Sequence, residues 1–138
     1  ARGAAMAKDL DARLAMLSSQ TPSTRPRVLY LTAGGATAGK GVLMDDVIRA
    51  AGGVNAYAGD NWNVVPLEQL VLKPPPIVAR GFFNSDQTNG SAWSPAHHSG
   101  FRRALAGAKQ IDLPTGAISC AAWFQIDAAE ALARALRS

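Results

Sequence analysis

The spacing of apolar residues along the chain predicts alternating helices and strands. Met6, Leu10, Leu14 and Leu17 recur at intervals of three and four residues, which is typical of one face of an amphipathic helix over residues 4–18. Similar patterns and turn signals predict helices near 42–51, 66–72, 97–106 and 126–137, and buried strands at 27–32, 77–79 and 109–113. Strands that alternate with helices favour an α/β fold with a doubly wound, mostly parallel sheet flanked by helices.

Composition narrows the classes of protein. The 138 residues are 48% hydrophobic and 17% charged, which suits one globular domain and argues against disorder. The net charge of +4 favours anionic ligands in general, but the cations are scattered, and we predict no nucleic-acid partner. The single cysteine, Cys120, excludes an internal disulfide, and we expect a buried, inert thiol. The apolar runs are too short to cross a bilayer.

The stretch VLYLTAGGATAGKG, residues 28–41, joins an apolar strand to a glycine-rich turn. Residues Gly34 to Lys40 fit the spacing G-x-x-x-x-G-K of a phosphate-binding loop. The next residue is Gly41, so the hydroxyl that would ligate magnesium is missing. A small α/β enzyme that binds a phosphate-bearing substrate at this Gly34–Gly41 loop is therefore one alternative.

Ligands of doubly wound sheets bind beyond the carboxyl ends of the strands. Three predicted loops qualify, at 33–41, 81–96 and 114–124, and the last two are rich in aromatic residues: Phe82, Phe83, Trp93, Trp123 and Phe124. These loops predict a flat, aromatic-lined binding face. Catalytic patterns are poor, because the adjacent His97 and His98 would point about 100° apart on a helix and the serines have no nucleophile context. We predict no catalytic residue and no metal ligand.

Four motifs occur in a characteristic order: Gly52-Gly53-Val54-Asn55, the aromatic Trp62, Pro66-Leu67-Glu68-Gln69-Leu70, and the apolar strand from Ile77. In this order the chain resembles the C-terminal lobe of the periplasmic substrate-binding proteins of iron-siderophore, haem and cobalamin ABC transporters. The resemblance implies that residues 1–20 are the end of a long interlobe helix. It further implies that residues 21–138 form the C-terminal α/β lobe, with the N-terminal lobe absent and the protein periplasmic.

The resemblance also implies the function. The protein would be a non-enzymatic component of an ABC importer that needs no cofactor, with an iron-siderophore, haem or cobalamin as its ligand. Glu68 matches the surface glutamate that docks onto arginines of the membrane permease, and Trp62 matches an aromatic that lies against the ligand. The ligand contacts that we predict are Gly34, Gly35, Thr37, Trp62, Phe83, Asn84, Trp93 and Trp123.

The chain departs from the family pattern in places that affect the ligand class. Pro75 stands where an Asp usually precedes the strand, and the loop after this strand is long and polar. By charge, Arg80, Arg102 and Arg103 favour an anionic ferric siderophore. Haem would instead use His97, His98 or Tyr57, whereas cobalamin fits the aromatics and needs no charge. A stand-alone interaction domain without a ligand is a third possibility.

Overall fold

A computed structural model describes residues 1–81, 98–119 and 122–138. The helices in this part of the chain are α1 (Arg2–Ser19), α2 (Leu43–Ala50), α3 (Leu67–Leu72), α4 (Ser99–Ala104), α5 (Thr115–Ile118) and α6 (Ile126–Arg137), with a short 3-10 helix at Trp123–Gln125. The strands are β1 (Arg27–Thr32), β2 (Ala36–Ala38), β3 (Val54–Asn55), β4 (Trp62–Val64), β5 (Ile77–Gly81) and β6 (Lys109–Asp112). The predicted alternation of helices and strands is confirmed.

The main sheet has four parallel strands in the order β3-β1-β5-β6. Side chains of β1 alternate between two cores because successive residues of a strand point to opposite faces. Val28 and Tyr30 pack with α1, α2, α5 and α6, whereas Leu29 and Leu31 pack with residues of α3 and its neighbour α4. The sheet is therefore covered by helices on both faces, as the doubly wound prediction requires.

The Gly-Gly motif ends α2 and brings the chain back into the sheet. Gly52 has φ +98°, a left-handed conformation that glycine adopts without steric cost. A Cβ atom on Gly53 would lie 3.0 Å from a methyl group of Val28 and 3.2 Å from one of Ile48. The two glycines thus permit a sharp turn and a close approach to the core directly before β3.

Helix α1 packs against α2 and α6. Leu17 is buried and Leu10 is partly buried in the core that these helices share, whereas Met6 and Leu14 remain partly exposed. Arg13 donates hydrogen bonds to Glu130 and Asp127 of α6. These two carboxylates raise the pKa of Arg13, mainly through the hydrogen bond to Glu130. Apolar burial and an ion-pair cluster therefore hold α1 on the domain together.

The glycine-rich segment contains a short strand that the sequence did not reveal. Strand β2 pairs with β4 as an antiparallel ribbon, with Ala36 opposite Val64 and Ala38 opposite Trp62. The predicted loop at 33–41 is thus partly regular structure. The predicted helix near 97–106 is shorter, at Ser99–Ala104, while Cys120 and the segment 82–97 lie outside the described residues. No helix of the described part is long and apolar enough to cross a membrane.

Candidate ligand-binding site

The carboxyl ends of β1, β5 and β6 lie at one edge of the sheet because the strands are parallel. Along the chain, β3 is added on one side of β1 and β5 on the other, so the strand order reverses between β1 and β5. Ligands of doubly wound sheets bind in the crevice at this switch point, beyond the carboxyl ends. The topology therefore predicts a ligand site among the residues that follow β1 and β5.

An open cavity of about 510 Å³ lies at this edge. It is lined by Tyr30 of β1, by the turn and first residues of α2, by Trp62 and Asn61, and by residues around α5 and the 3-10 helix: Gly41, Val42, Leu43, Met44, Ile118, Ser119 and Gln125. Among the described residues, the lining contains no charged side chain. The cavity thus offers an aromatic and aliphatic surface with a few neutral polar groups.

Trp62 lies in the wall of the cavity, where its ring contacts Tyr30 and much of its surface is exposed to solvent. Its side chain is 55% exposed, and its ring centroid is 6.0 Å from that of Tyr30 at an interplanar angle of 63°. Such an edge-to-face pair is a favoured aromatic geometry. Tyr30 itself is almost completely buried, and the loss of water around its hydroxyl raises its pKa to about 12. The buried ring of Tyr30 therefore packs against the ring of Trp62.

The glycine-rich turn is tied to the segment that precedes Trp62. The N–H of Gly39 donates to Asn61 O (2.8 Å), the N–H of Lys40 donates to Gly59 O (3.0 Å), and the N–H of Asn61 donates to Lys40 O (2.8 Å). A Cβ atom on Gly39 would lie only 2.2 Å from Gly59 O, so the close pairing requires glycine there.

These hydrogen bonds correct the phosphate-loop interpretation of Gly34–Gly41. A phosphate cradle needs free backbone N–H groups that point at the ligand. Here the N–H groups of Gly39 and Lys40 donate to Asn61 O and Gly59 O, and the N–H of Gly35 donates to Thr32 O at 2.9 Å. The side chain of Lys40 is exposed. The spacing G-x-x-x-x-G-K is therefore incidental to this fold.

Other predicted contacts in the turn do not line the cavity. Gly34 is exposed and Gly35 is buried, and both lie before the residues that form the wall. Thr37 is fully buried, and its hydroxyl has no hydrogen-bond partner among the described residues. The side chain of Thr37 cannot be reached from solvent in this structure, so its position gives no support to a ligand contact. Gly41 is the glycine that reaches the cavity.

The structure separates Trp123 from Trp62. Trp123 is also 55% exposed, but it lines a second, smaller groove of about 270 Å³ between α1 and α2, together with Leu10 and Leu14. Leu43 and Gln125 line both spaces, so the groove and the cavity are neighbours. The two tryptophans thus occupy adjacent surfaces instead of one flat face. The other predicted aromatic contacts, Phe83 and Trp93, lie outside the described residues with Asn84.

The three arginines that were expected to favour an anionic ligand do not line the candidate cavity. Arg80 forms a bidentate pair with Asp112, with Nε–Oδ1 at 2.7 Å and Nη2–Oδ2 at 2.8 Å. This pairing neutralises Arg80 locally, so its position does not support the predicted preference for an anionic siderophore. Arg102 and Arg103 lie in the last turn of α4, where cations interact favourably with the helix dipole.

The described residues that haem would use as ligands either make other contacts or line a different cavity. His98 accepts a hydrogen bond at Nδ1 from the N–H of Gly100 (3.1 Å), which caps α4, and its ring packs edge-on against Phe101. Tyr57 lines a different cavity of about 340 Å³ beside α3. His97 lies outside the described residues. Within residues 1–81, 98–119 and 122–138, no cluster of three His, Cys, Asp or Glu side chains could hold a metal ion.

Sequence reasoning noted Asn55 in a motif but missed its contacts. Its side-chain N–H₂ donates to Ala38 O (2.7 Å) and to Asp45 Oδ1 (2.8 Å), and its Oδ1 accepts from the N–H of Tyr57 (3.0 Å). Asp45 is 3% exposed and also pairs with Arg49 at 2.8 Å. Asp45 lies among the apolar residues of an amphipathic helix, and this is the signal in the sequence that could have indicated a polar partner. A buried charge requires such a partner.

Glu68 lies on the opposite side of the sheet, on α3. Glu68 is exposed, as a docking carboxylate requires. Val71 and Leu72, three and four residues further, share its helical face and are 62% and 77% exposed. Glu68 thus belongs to a small exposed surface that combines one carboxylate with two aliphatic side chains, which we call the α3 face.

The fold resembles that of one class of solved structures, the periplasmic solute-binding proteins for haem, vitamin B12 and iron. The resemblance that the order of the sequence motifs indicated is confirmed at the level of the fold. No protein-family model matches this chain, and no curated protein matches its sequence.

Three structures illustrate the likeness. The periplasmic haem-binding protein HutB of Vibrio cholerae matches 95% of this chain and 55% of its own, with a TM-score of 0.76 and 16% identity. A periplasmic haem-binding protein from Pseudomonas aeruginosa matches 97% and 52%, with a TM-score of 0.73 and 19% identity. The vitamin B12-binding protein BtuF of Vibrio cholerae matches 95% and 52%, with a TM-score of 0.70 and 23% identity. The chain spans about half the length of these proteins.

Proposed function

We propose that this chain is the C-terminal lobe of a periplasmic receptor that delivers a metal chelate to an ABC importer. The observation that carries this proposal is the exposed ring of Trp62 beside an uncharged cavity at the carboxyl edge of the sheet. The fold shared with binding proteins for haem and vitamin B12 supports it. The receptor has no catalytic role in this proposal and works by capture, release and docking.

The ligand that we favour is a flat macrocycle of the haem or cobalamin type. An aromatic ring face suits stacking against a conjugated macrocycle, and apolar walls suit its hydrocarbon periphery. A ferric catecholate siderophore carries its negative charge around the metal centre and would bring it against the wall, whereas the propionates at the edge of haem can stay in solvent. The described lining has no charged side chain, and Arg80 is paired with Asp112. We therefore rank the ferric siderophore second.

Docking onto the permease is assigned to the α3 face. A carboxylate beside exposed Val71 and Leu72 suits a partner surface that presents an arginine next to an apolar patch. The charge would fix orientation, and the aliphatic pair would contribute buried apolar area. Ligand capture and docking then use different surfaces of the same lobe.

The test is a titration of the tryptophan fluorescence of this chain with haemin, cyanocobalamin, a ferric catecholate siderophore and Mg-ATP. We expect saturable quenching by a macrocycle, with weak affinity because one lobe offers only part of the contact surface. Trp62→Ala should weaken binding about tenfold, the value of a stacking contact of about 1.4 kcal/mol. N-acetyltryptophanamide, titrated in parallel, corrects for absorption by the ligand.

Trp123→Ala is the matched variant, because it removes an equally exposed tryptophan from the neighbouring groove. We expect it to lose less affinity than Trp62→Ala. An affinity that Trp62→Ala leaves unchanged would contradict the proposed site. Saturable binding of Mg-ATP alone, abolished in Lys40→Ala, would overturn the receptor proposal in favour of a phosphate-binding enzyme.

A further inference from the structure

The side chain of Asn55 connects the two walls of the candidate cavity. Its two N–H groups donate to Ala38 O at 2.7 Å and to Asp45 Oδ1 at 2.8 Å. Ala38 belongs to β2, and Asp45 to the first turn of α2. A single amide thus joins β2 to α2, in addition to the chain connection through residues 39–42, from a position 17 residues away from Ala38 and 10 away from Asp45.

Each element that Asn55 holds carries part of the cavity lining. Ala38 is the pairing partner of Trp62 in the β2–β4 ribbon, so its position determines where Trp62 stands. Leu43 and Met44, which directly precede Asp45 in the first turn of α2, line the cavity. The Asn55 bridge therefore lies between the Trp62 wall and the α2 wall of the cavity.

The chemistry of the bridge suits asparagine in particular. A side-chain amide supplies two N–H donors and one acceptor, and here each of the two acceptor partners receives one donor while Oδ1 accepts from Tyr57 N–H. Aspartate at this position would place a second carboxylate against Asp45, and serine would supply one donor for two acceptors. Asp45 is 3% exposed, so its oxygen requires a donor.

We propose that Asn55 is a positioning residue that sets the separation of Trp62 from α2 and thereby the shape of the ligand cavity. The meaning of this role for ligand binding rests on the proposed function. The positioning itself does not, because Trp62 reports its own surroundings in the absence of any ligand.

The experiment uses the full 138-residue chain with Trp62 as its single tryptophan, obtained by Trp93→Phe and Trp123→Phe. Asn55→Ala and the milder Asn55→Ser are introduced into this parent chain. We expect both to shift the emission maximum of Trp62 and to change its quenching constant for acrylamide, at temperatures well below the unfolding transition. Thermal unfolding followed by circular dichroism measures the stability of each variant separately.

Two control variants separate positioning from stability. Asn63→Ala removes an amide from β4 itself, whose Oδ1 accepts only from the adjacent Val64 N–H at 2.9 Å in the described contacts. Arg49→Ala removes the other partner of Asp45 but leaves the Asn55 bridge intact. We expect Arg49→Ala to lower the melting temperature and neither control to change the Trp62 signal.

The outcomes distinguish the two proposals. If Asn55→Ser lowers stability but leaves the emission and quenching of Trp62 at the parent values, Asn55 is merely structural and the inference is overturned. If haemin and cyanocobalamin bind neither the parent chain nor its variants, but the Asn55 variants still shift the emission maximum of Trp62, the positioning role is supported and the receptor function is contradicted. If haemin binds the parent chain, Asn55→Ser should weaken it severalfold while Asn63→Ala does not.

Discussion

At the scale of single residues, Tyr30 combines burial with a position at the base of the site. It is 1% exposed, and its ring supports Trp62 edge-on. Burial disfavours the charged phenolate, because a charge in a poorly solvated environment is costly, and this raises the pKa of Tyr30 to about 12. The aromatic contact and the perturbed pKa have the same cause, the enclosure of this ring by the sheet and its helices.

Stability should therefore fall at high pH through Tyr30. The unfolded chain releases the phenolic proton near pH 10, whereas the folded chain keeps it to about pH 12. In this window the folded state binds more protons, so the free energy of unfolding decreases as pH rises, by up to about 2–3 kcal/mol. Urea unfolding at pH 8 and pH 11 measures the first half of this change, about 1.4 kcal/mol.

Tyr30→Phe is the control for this pH dependence, because it keeps the ring against Trp62 and removes the titrating group. We expect the variant to lose less stability between pH 8 and pH 11 than the parent chain. Parallel loss in both chains would assign the effect to other groups that titrate in this range.

At the scale of secondary structure, apolar packing and ion pairs attach α1 to the rest of the domain. Leu10 and Leu17 supply apolar contacts, and Arg13 reaches Asp127 and Glu130 across to α6. The side chain of Arg13 is 28% exposed, and that of Glu130 is 30% exposed. Partial burial makes these ion pairs stronger than fully exposed ones.

Arg13→Ala should loosen α1 without unfolding the sheet. We expect a loss of about 1–2 kcal/mol in the free energy of unfolding, smaller at high salt because salt screens the pairs. Amide hydrogen exchange should become faster in α1, and remain unchanged in β1 and β5. Lys8→Ala, an exposed cation on the same helix outside this cluster, should leave exchange in α1 as it is. Equal effects of the two variants would contradict a specific clamp.

At the scale of the whole molecule, the candidate cavity and the α3 face are separate surfaces. The cavity lies at the carboxyl edge between β1, β4 and the start of α2, whereas α3 packs with α4 on the second face of the sheet. A substitution on one surface should therefore leave the other unaffected, since distant sites act additively.

Glu68→Gln should separate docking from capture. The side chain is exposed, so we expect the melting temperature and the ligand titration to match those of the parent chain. Binding to the cognate permease reconstituted in nanodiscs should weaken about tenfold through loss of a charged contact. Asp11→Asn, which removes an exposed carboxylate from α1, should bind like the parent. Unchanged docking of Glu68→Gln would contradict the assignment of the α3 face.

The sequence by itself determined the types and order of the elements, because helical and strand periodicity are local consequences of burial. The run from Val28 to Leu31 indicated a buried strand, and the Gly-Gly pair marked the end of a helix. The order of motifs around Asn55, Trp62 and Glu68 was sufficient to indicate the fold of a receptor lobe, and it drew attention to Trp62.

Only the tertiary structure decided which of these residues meet. Contacts between residues distant along the chain pair β2 with β4 and bring Tyr30 against Trp62. Such contacts also put Trp123 in a separate groove. The same holds for the pairing of Arg80 with Asp112 and for the bridge from Asn55 to Ala38 and Asp45. Local spacing does not encode such contacts, because they are fixed by how helices and strands pack against one another.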